Sequence, residues 1–196
     1  MDFFDLLRQR QSVRKFRPEQ ITKDQLDRIL LAANQAPIGS NRREEVHLTV
    51  VQDRDVLARL ARAAERRYAA MPRHNAIFDK LRPGTINREV PAYDPFYGAP
   101  TVIFVSHRRQ DLQPGIEYCN VTSPVFSMHL AAQALGLGSV YMWFALESMR
   151  MMPELNCVDL LQLPPDFEPL LGLAVGYPAE ALQQREEAKR LTVNYR

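Results

Sequence analysis

Apolar positions along this chain switch repeatedly between helical and strand spacing, and the switches divide it into short elements. Phe3, Leu6 and Leu7 form one helical stripe. Pro18 interrupts, and Thr22-Lys23-Asp24-Gln25 then has the form of a capping box. Leu26, Ile29, Leu30 and Ala33 fall at i, i+3, i+4 and i+7, predicting a helix that must end before Pro37. Ile38-Gly39-Ser40-Asn41 reads as a loop and Val46 to Val51 as a strand. Asp53 is placed to cap a second long helix, with Val56, Leu57, Leu60 and Ala64 inward. Its other face carries Arg59, Arg62, Arg66 and Arg67, a regular charged row that reads as a solvated surface before it reads as a nucleic-acid contact.

Between 72 and 100 the rhythm breaks at Pro72, Pro83, Pro91, Pro95 and Pro100. This stretch reads as an excursion from the core and not a linker, because Ile77, Phe78, Leu81, Tyr93, Phe96 and Tyr97 need burial or a ligand. Thr101 to Ser106 is β-branched and apolar, a buried strand. Ser123-Pro124 is either an N-cap followed by proline at the first helical position, or Pro124 kinks a helix that starts near Gly115. Gly136 is a natural helix stop. Val140 to Phe144 predicts a strand, Pro153 to Leu163 a short helix, Leu170 to Val175 a last strand, and the polar tail turns strand-like at Leu191-Thr192-Val193. The expectation is one α+β domain over 1–196.

Composition narrows the classes. Among 196 residues, 46% are apolar and 24% charged, which suits a globular chain with a real core, and a net charge of +2 does not argue for nucleic acid or an anionic membrane. No apolar run nears the roughly 18 to 20 residues that span a bilayer. The start, Met1-Asp2-Phe3-Phe4-Asp5, lacks the basic and apolar regions of a signal peptide, so a cytoplasmic location is expected.

The usual chemical motifs are missing. There is no Gly-x-Gly-x-x-Gly, no phosphate-binding Gly-x-x-x-x-Gly-Lys-Ser/Thr and no Gly-x-Ser-x-Gly elbow. Cys119 and Cys157 fit no metal or redox spacing, and His47, His74, His107 and His129 are scattered, so no metal is expected. His129, between Met128 and Leu130, reads as a satisfied core histidine. No catalytic side chain is expected; such a protein suits chemistry carried by a cofactor.

The most informative stretch is Arg10-Gln11-Ser12-Val13-Arg14-Lys15-Phe16. If extended, it places Arg10, Ser12 and Arg14 on one face and turns Val13 to a core. Two guanidinium forks and a hydroxyl match an anion such as phosphate, although a solvated basic turn has the same spacing.

With Ala36-Pro37-x-x-x-Asn41, Gly98-Ala99-Pro100, Leu135-Gly136-Leu137-Gly138 and Gly176-Tyr177-Pro178, that stretch stands in the order seen in FMN-dependent nitroreductases, which the chain resembles from about Phe3 to Pro178. The resemblance implies a three-layer α+β fold, with a central antiparallel sheet flanked by helices, in an intertwined homodimer with two FMN sites at its interface. It implies that Arg10, Ser12 and Arg14 hold the FMN phosphate. It implies that the loop Pro37, Ile38, Gly39, Asn41 lies over the flavin of the partner, although Ile38 stands where the family has serine and Arg43 where it has glutamine. The family's Gln-Asn before its Leu-x-Leu-Ala-Ala helix falls at Phe126-Ser127. Tyr141, Met142 and Trp143 are implied beside the ring, or else form an aromatic-rich core strand. Lys189 or Arg190 would return to the phosphate, and the tail would reach across the partner. The implied activity takes hydride from NADH or NADPH to a small electron-poor acceptor such as a nitroaromatic or quinone. A flavin carrier or sensor without turnover, or a specialised flavin enzyme of the same fold, is the alternative.

Overall fold

The computed structural model describes residues 2–70, 94–111, 113–143, 146, 157–182 and 191–196. Helix α1 (Phe3–Gln9) is capped by Asp2, whose carboxylate accepts from the Phe4 N–H. Helix α2 (Lys23–Asn34) starts in the predicted capping box: Thr22 Oγ1 accepts from the Gln25 N–H, and Gln25 Oε1 accepts from the Thr22 N–H. Two short 3₁₀ turns, Gly39–Asn41 and Arg43–Glu45, lead into β1 (Val46–Val51). Asp53 Oδ1 accepts from the N–H groups of Asp55 and Val56 and so opens α3 (Arg54–Ala70). Then follow β2 (Thr101–Arg108), α4 (Ile116–Ala134), β3 (Gly138–Tyr141), α5 (Cys157–Leu160) and β4 (Phe167–Gly176).

The four strands form one sheet in the order β1-β2-β4-β3, antiparallel throughout. Alternation along β2 sorts the core into two layers. Val102 and Phe104 pack with Leu57, Leu60 and Ala64 of α3. Ile103 and Val105 face the other way, onto Ile29 and Ala33 of α2 and Val121, Val125, Met128 and Ala132 of α4. The result is the expected three-layer arrangement, with helices on both faces of an antiparallel sheet.

Pro124 takes the second of its two readings and lies inside α4, the ninth residue of a helix that begins at Ile116, while several other boundaries differ from the sequence reading. A proline there forgoes one main-chain hydrogen bond, and burial of Val121, Val125, Met128 and Ala132 along the same helix outweighs it. The helix ends in a Schellman motif: Leu137 N–H donates to the Ala132 carbonyl (2.9 Å) and Gly136 N–H to Gln133 (3.1 Å), with Gly136 at φ +72°. This turn delivers the chain directly into β3, which therefore starts at Gly138 and ends at Tyr141, earlier than the expected strand; Phe144 lies outside the described residues. β4 is longer than expected because Pro169 sits at a bulge, where the register slips between Val105 and Ser106, and so costs the ladder little. Helix α5 ends at Leu160, short of Leu163, while 153–156 lie outside the described residues. Most of the 72–100 excursion also lies outside them. Its end is a turn in which Asp94 accepts from the N–H groups of Phe96 and Gly98. Leu191, Val193 and Tyr195 are exposed and join no strand among the described residues. Among the described residues no helix is long and apolar enough to cross a membrane, and no group of metal-ligating side chains gathers.

Candidate functional site

The segment after α1 runs beside the beginning of β3. Ser12 pairs with Ser139 in a parallel bridge, Val13 N–H donates to the Ser139 carbonyl (3.0 Å), and Phe16 pairs with Pro178. Val13 is buried, as expected, against Gly138, where an added Cβ would stand 2.8 Å from its side chain. This close approach lets the basic strip lie flat on the sheet edge. Ser12 and Arg14 are exposed, and neither has a hydrogen bond or ion pair among the described residues. Arg10, the residue that ends α1, is half-buried and turns toward α4.

There Arg10 Nη1–H donates to His129 Nε2 (2.9 Å), and His129 Nδ1 bonds Ser139 Oγ. A guanidinium has only donors, so Nε2 must be the lone-pair nitrogen and Nδ1 must carry the proton, donated to Ser139. Burial, and then the charge of Arg10, hold the His129 pKa down at about 4, so the ring is neutral. His129 is thus a satisfied core histidine, as the sequence suggested, and its partners include the expected phosphate arginine. The Tyr141 ring stands edge-on to it at 5.6 Å. Burial pushes the Tyr141 hydroxyl up to about 12 against the opposing charge of Arg10.

The 37–45 loop is held from two sides. Ser40 and Asn41 both adopt left-handed backbone, at φ 52° and 56°, a conformation asparagine tolerates better than most residues. From within the loop, Arg43 donates to the carbonyls of Asn34 (2.7 Å) and Ala36 (3.1 Å) and to Asn41 Oδ1 (3.2 Å). This one side chain caps the end of α2 and fixes the Asn41 carboxamide, so the arginine that departs from the family pattern has a definite use in this chain. From below, Gly39 N–H donates to Asn120 Oδ1 of α4 (2.8 Å), and Asn120 Nδ2 donates to His107 Nε2 of β2 (3.1 Å). His107 Nδ1–H in turn donates to the Arg108 carbonyl (2.7 Å). Buried Glu45 pairs with Arg42 (2.6 Å) beside this network. Pro37 and Asn41 are exposed, and Ile38 and Gly39 half-buried.

In the implied ring-side segment, Tyr141 is half-buried and Trp143 is 46% exposed, while Met142 packs into the α3-side core. Met142 can therefore offer a ligand its backbone and not its side chain. Lys189 and Arg190 lie outside the described residues. Phe126, on α4, is exposed. A cavity of about 430 Å³ opens between α3 and the 94–100 turn, lined by Leu57, Ala61, Phe96 and Pro100 with Arg54 and Arg62; none of the expected cofactor residues lines it. Spacing made Arg10, Ser12 and Arg14 visible in the sequence. His129, Ser139, Asn120 and His107 were not visible as site residues, since only the α4-to-β3 turn and the sheet bring them together.

Comparison with known proteins adds an independent line. The model of the Nitroreductase family matches residues 7–177. No curated protein matches. The fold is similar to a nitroreductase with bound FMN from Bacteroides fragilis (24% identity, TM-score 0.81, all of both chains). It is also similar to an FMN-dependent nitroreductase from Clostridium difficile (26% identity, TM-score 0.75, 98% of each chain). A third, a nitroreductase with bound FMN from Desulfitobacterium hafniense, has 20% identity and a TM-score of 0.81 over 98% of this chain and 96% of its own.

Proposed function

Because the chain belongs to the nitroreductase family, we propose that it binds FMN and acts as an oxidoreductase, passing hydride from NADH or NADPH to a small electron-poor acceptor such as a nitroaromatic or quinone. The observation that carries this reading is the strip of Arg10, Ser12 and Arg14 laid along the start of β3. Its donor set suits the flavin phosphate, since two guanidinium groups supply charge-assisted hydrogen bonds and the serine hydroxyl adds a neutral donor. Tyr141 and Trp143 continue from the same strand and offer the half-buried and exposed aromatic surface against which a planar ring packs. FMN, when bound, supplies the hydride acceptance and donation that the side chains gathered here do not. The chain's own part is to hold the phosphate, shield the ring from water and keep the 37–45 loop in one conformation.

The loop acts across a homodimer interface in this reading, with Pro37 and Asn41 over the partner's flavin. An exposed, largely apolar face supports the assembly. Along α4, Tyr118, Thr122 and Phe126 are exposed at a spacing of four, and α1, which packs on α4, exposes Phe3 and Phe4. Burying such a surface is the ordinary reason for an obligate dimer.

The test is spectroscopic. Purified protein should show flavin absorbance or acquire it with added FMN, and NADH or NADPH should bleach it under anaerobic conditions. A colourless preparation that takes up no FMN refutes the cofactor. FMN-loaded protein that neither nucleotide reduces refutes the oxidoreductase and leaves a carrier. Light scattering over a dilution series should show a dimer, and a monomer that keeps stoichiometric FMN removes the two-chain site.

A further inference from the structure

We infer that His129 is a positioning residue for the anion site: its buried ring sets the direction of Arg10 and the register of Ser12 at the flavin phosphate. The inference rests on the FMN reading above and concerns how this chain builds that site.

The geometry is specific. His129 is 2% exposed, and each of its ring nitrogens has a partner. Nε2 accepts from Arg10 Nη1. Guanidinium is planar, so fixing one N–H to a buried acceptor fixes the plane of the whole fork. Nδ1 bonds Ser139 Oγ, and Ser139 is the residue whose main chain pairs with Ser12 and accepts from Val13 N–H. One imidazole therefore touches Arg10 directly and Ser12 through its ladder partner. A buried leucine at this place on α4 would fill the core without binding either group. A protonated imidazole would oppose Arg10, but burial keeps the ring neutral, which preserves Nε2 as an acceptor.

The experiment compares FMN with riboflavin, which has the same ring and ribityl chain but no phosphate. Dissociation constants are measured by fluorescence titration of the full-length protein stripped of flavin, for wild type, His129→Leu, His129→Gln, Ser139→Ala, Arg10→Ala and the double variant Arg10→Ala/His129→Leu. Circular dichroism checks that each is folded. His129→Leu should weaken FMN about tenfold, the scale of one hydrogen bond to a charged group, and leave riboflavin within about twofold. His129→Gln, whose amide can also accept from Arg10 and donate to Ser139, should stay close to wild type. Adding His129→Leu to Arg10→Ala should cost nothing further.

Equal losses of FMN and riboflavin, unchanged FMN affinity, or full additivity with Arg10→Ala would each overturn the assignment. If His129→Leu does not fold, Ser139→Ala decides: it should weaken FMN several-fold and spare riboflavin, and loss of both or of neither overturns the proposal. Wild-type protein that binds neither flavin overturns the FMN reading together with this one, whereas wild type that binds FMN beside insensitive variants overturns this one alone.

Discussion

Replacing Asn120 by alanine tests how the 37–45 loop is held. Asn120 is 3% exposed and uses both ends of its amide, accepting from Gly39 N–H at 2.8 Å and donating to His107 Nε2 at 3.1 Å. Alanine leaves one donor and one acceptor without partners. A buried polar group stripped of its partner costs about 1–3 kcal/mol. Gly39 is half-buried and can recover water, so it belongs near the lower end, while fully buried His107 belongs near the upper. The sum is about 4 kcal/mol. For a chain of this size that lowers the melting temperature by roughly 8–16 °C. The assay is thermal unfolding of the flavin-free protein by circular dichroism, with Arg28→Ala on the exposed side of α2 as control. Arg28→Ala should fall within about 0.5 kcal/mol of wild type. Hydrogen exchange at the Gly39 amide should also quicken in Asn120→Ala. A melting temperature within about 2 °C of wild type, or exchange at Gly39 unaltered, would refute the idea that α4 holds this loop.

Other outcomes follow from the same structure. Gly138→Ala should cost about 1–3 kcal/mol, because its Cβ would stand 2.8 Å from Val13, and Val13→Ala in the same protein should recover part of it. Gly136→Ala meets no atom within 4 Å, yet it places a Cβ at φ +72°, so about 1 kcal/mol of backbone strain should appear with no rescue from any neighbour. His129 has a folded pKa of about 4 against 6.5 unfolded, so the unfolded chain binds more protons between these values. Stability should therefore be complete above pH 6.5 and fall toward pH 4, by the order of 2–3 kcal/mol, and His129→Leu should flatten that part of a urea-unfolding profile. Arg43→Ala leaves the Asn34 carbonyl to water and takes a donor from the carbonyl of buried Ala36, so about 1–2 kcal/mol should be lost, while FMN affinity drops as the Asn41 side chain is freed. FMN affinity equal to wild type in Arg43→Ala would show that the Asn41 conformation does not matter to binding.

What was legible in the sequence was local. The Thr22 box, the Asp53 cap, the limits of β1 and the glycine stop at 136 depend on residues within a turn of one another, and each formed as read. What stayed open or misled was also local: Pro124 left two readings between which tertiary burial decides, and Pro169 carries a breaking signal that a bulge absorbs. At the site, the spacing of Arg10, Ser12 and Arg14 pointed to an anion, but their supports are distant. Arg10 and His129 are 119 positions apart, and Gly39 and Asn120 are 81. Nothing in a window of sequence distinguishes a histidine that fills a core from one that also orients an arginine.

Helix α4 connects these two supports. Asn120 and His129 are nine residues apart, which at 100° and 1.5 Å per residue puts them on opposite sides of the helix and about 13 Å apart along its axis. From one side α4 anchors the 37–45 loop; from the other it anchors the 10–14 strip. Both contacts use a buried polar side chain set among Val121, Val125, Met128 and Ala132. This explains why α4 reads as apolar around most of its circumference and yet contains asparagine and histidine. A polar residue buried in such a helix is costly unless satisfied, and here one partner of each comes from the sheet and the other from the loop or the strip in its observed position. Misplacing either would leave a buried group unpaired, so the stability of the core itself favours the arrangement of the site. In a dimer whose loop acts on the partner's flavin, each chain would seat the strip for its own site and the loop for the other on the same helix.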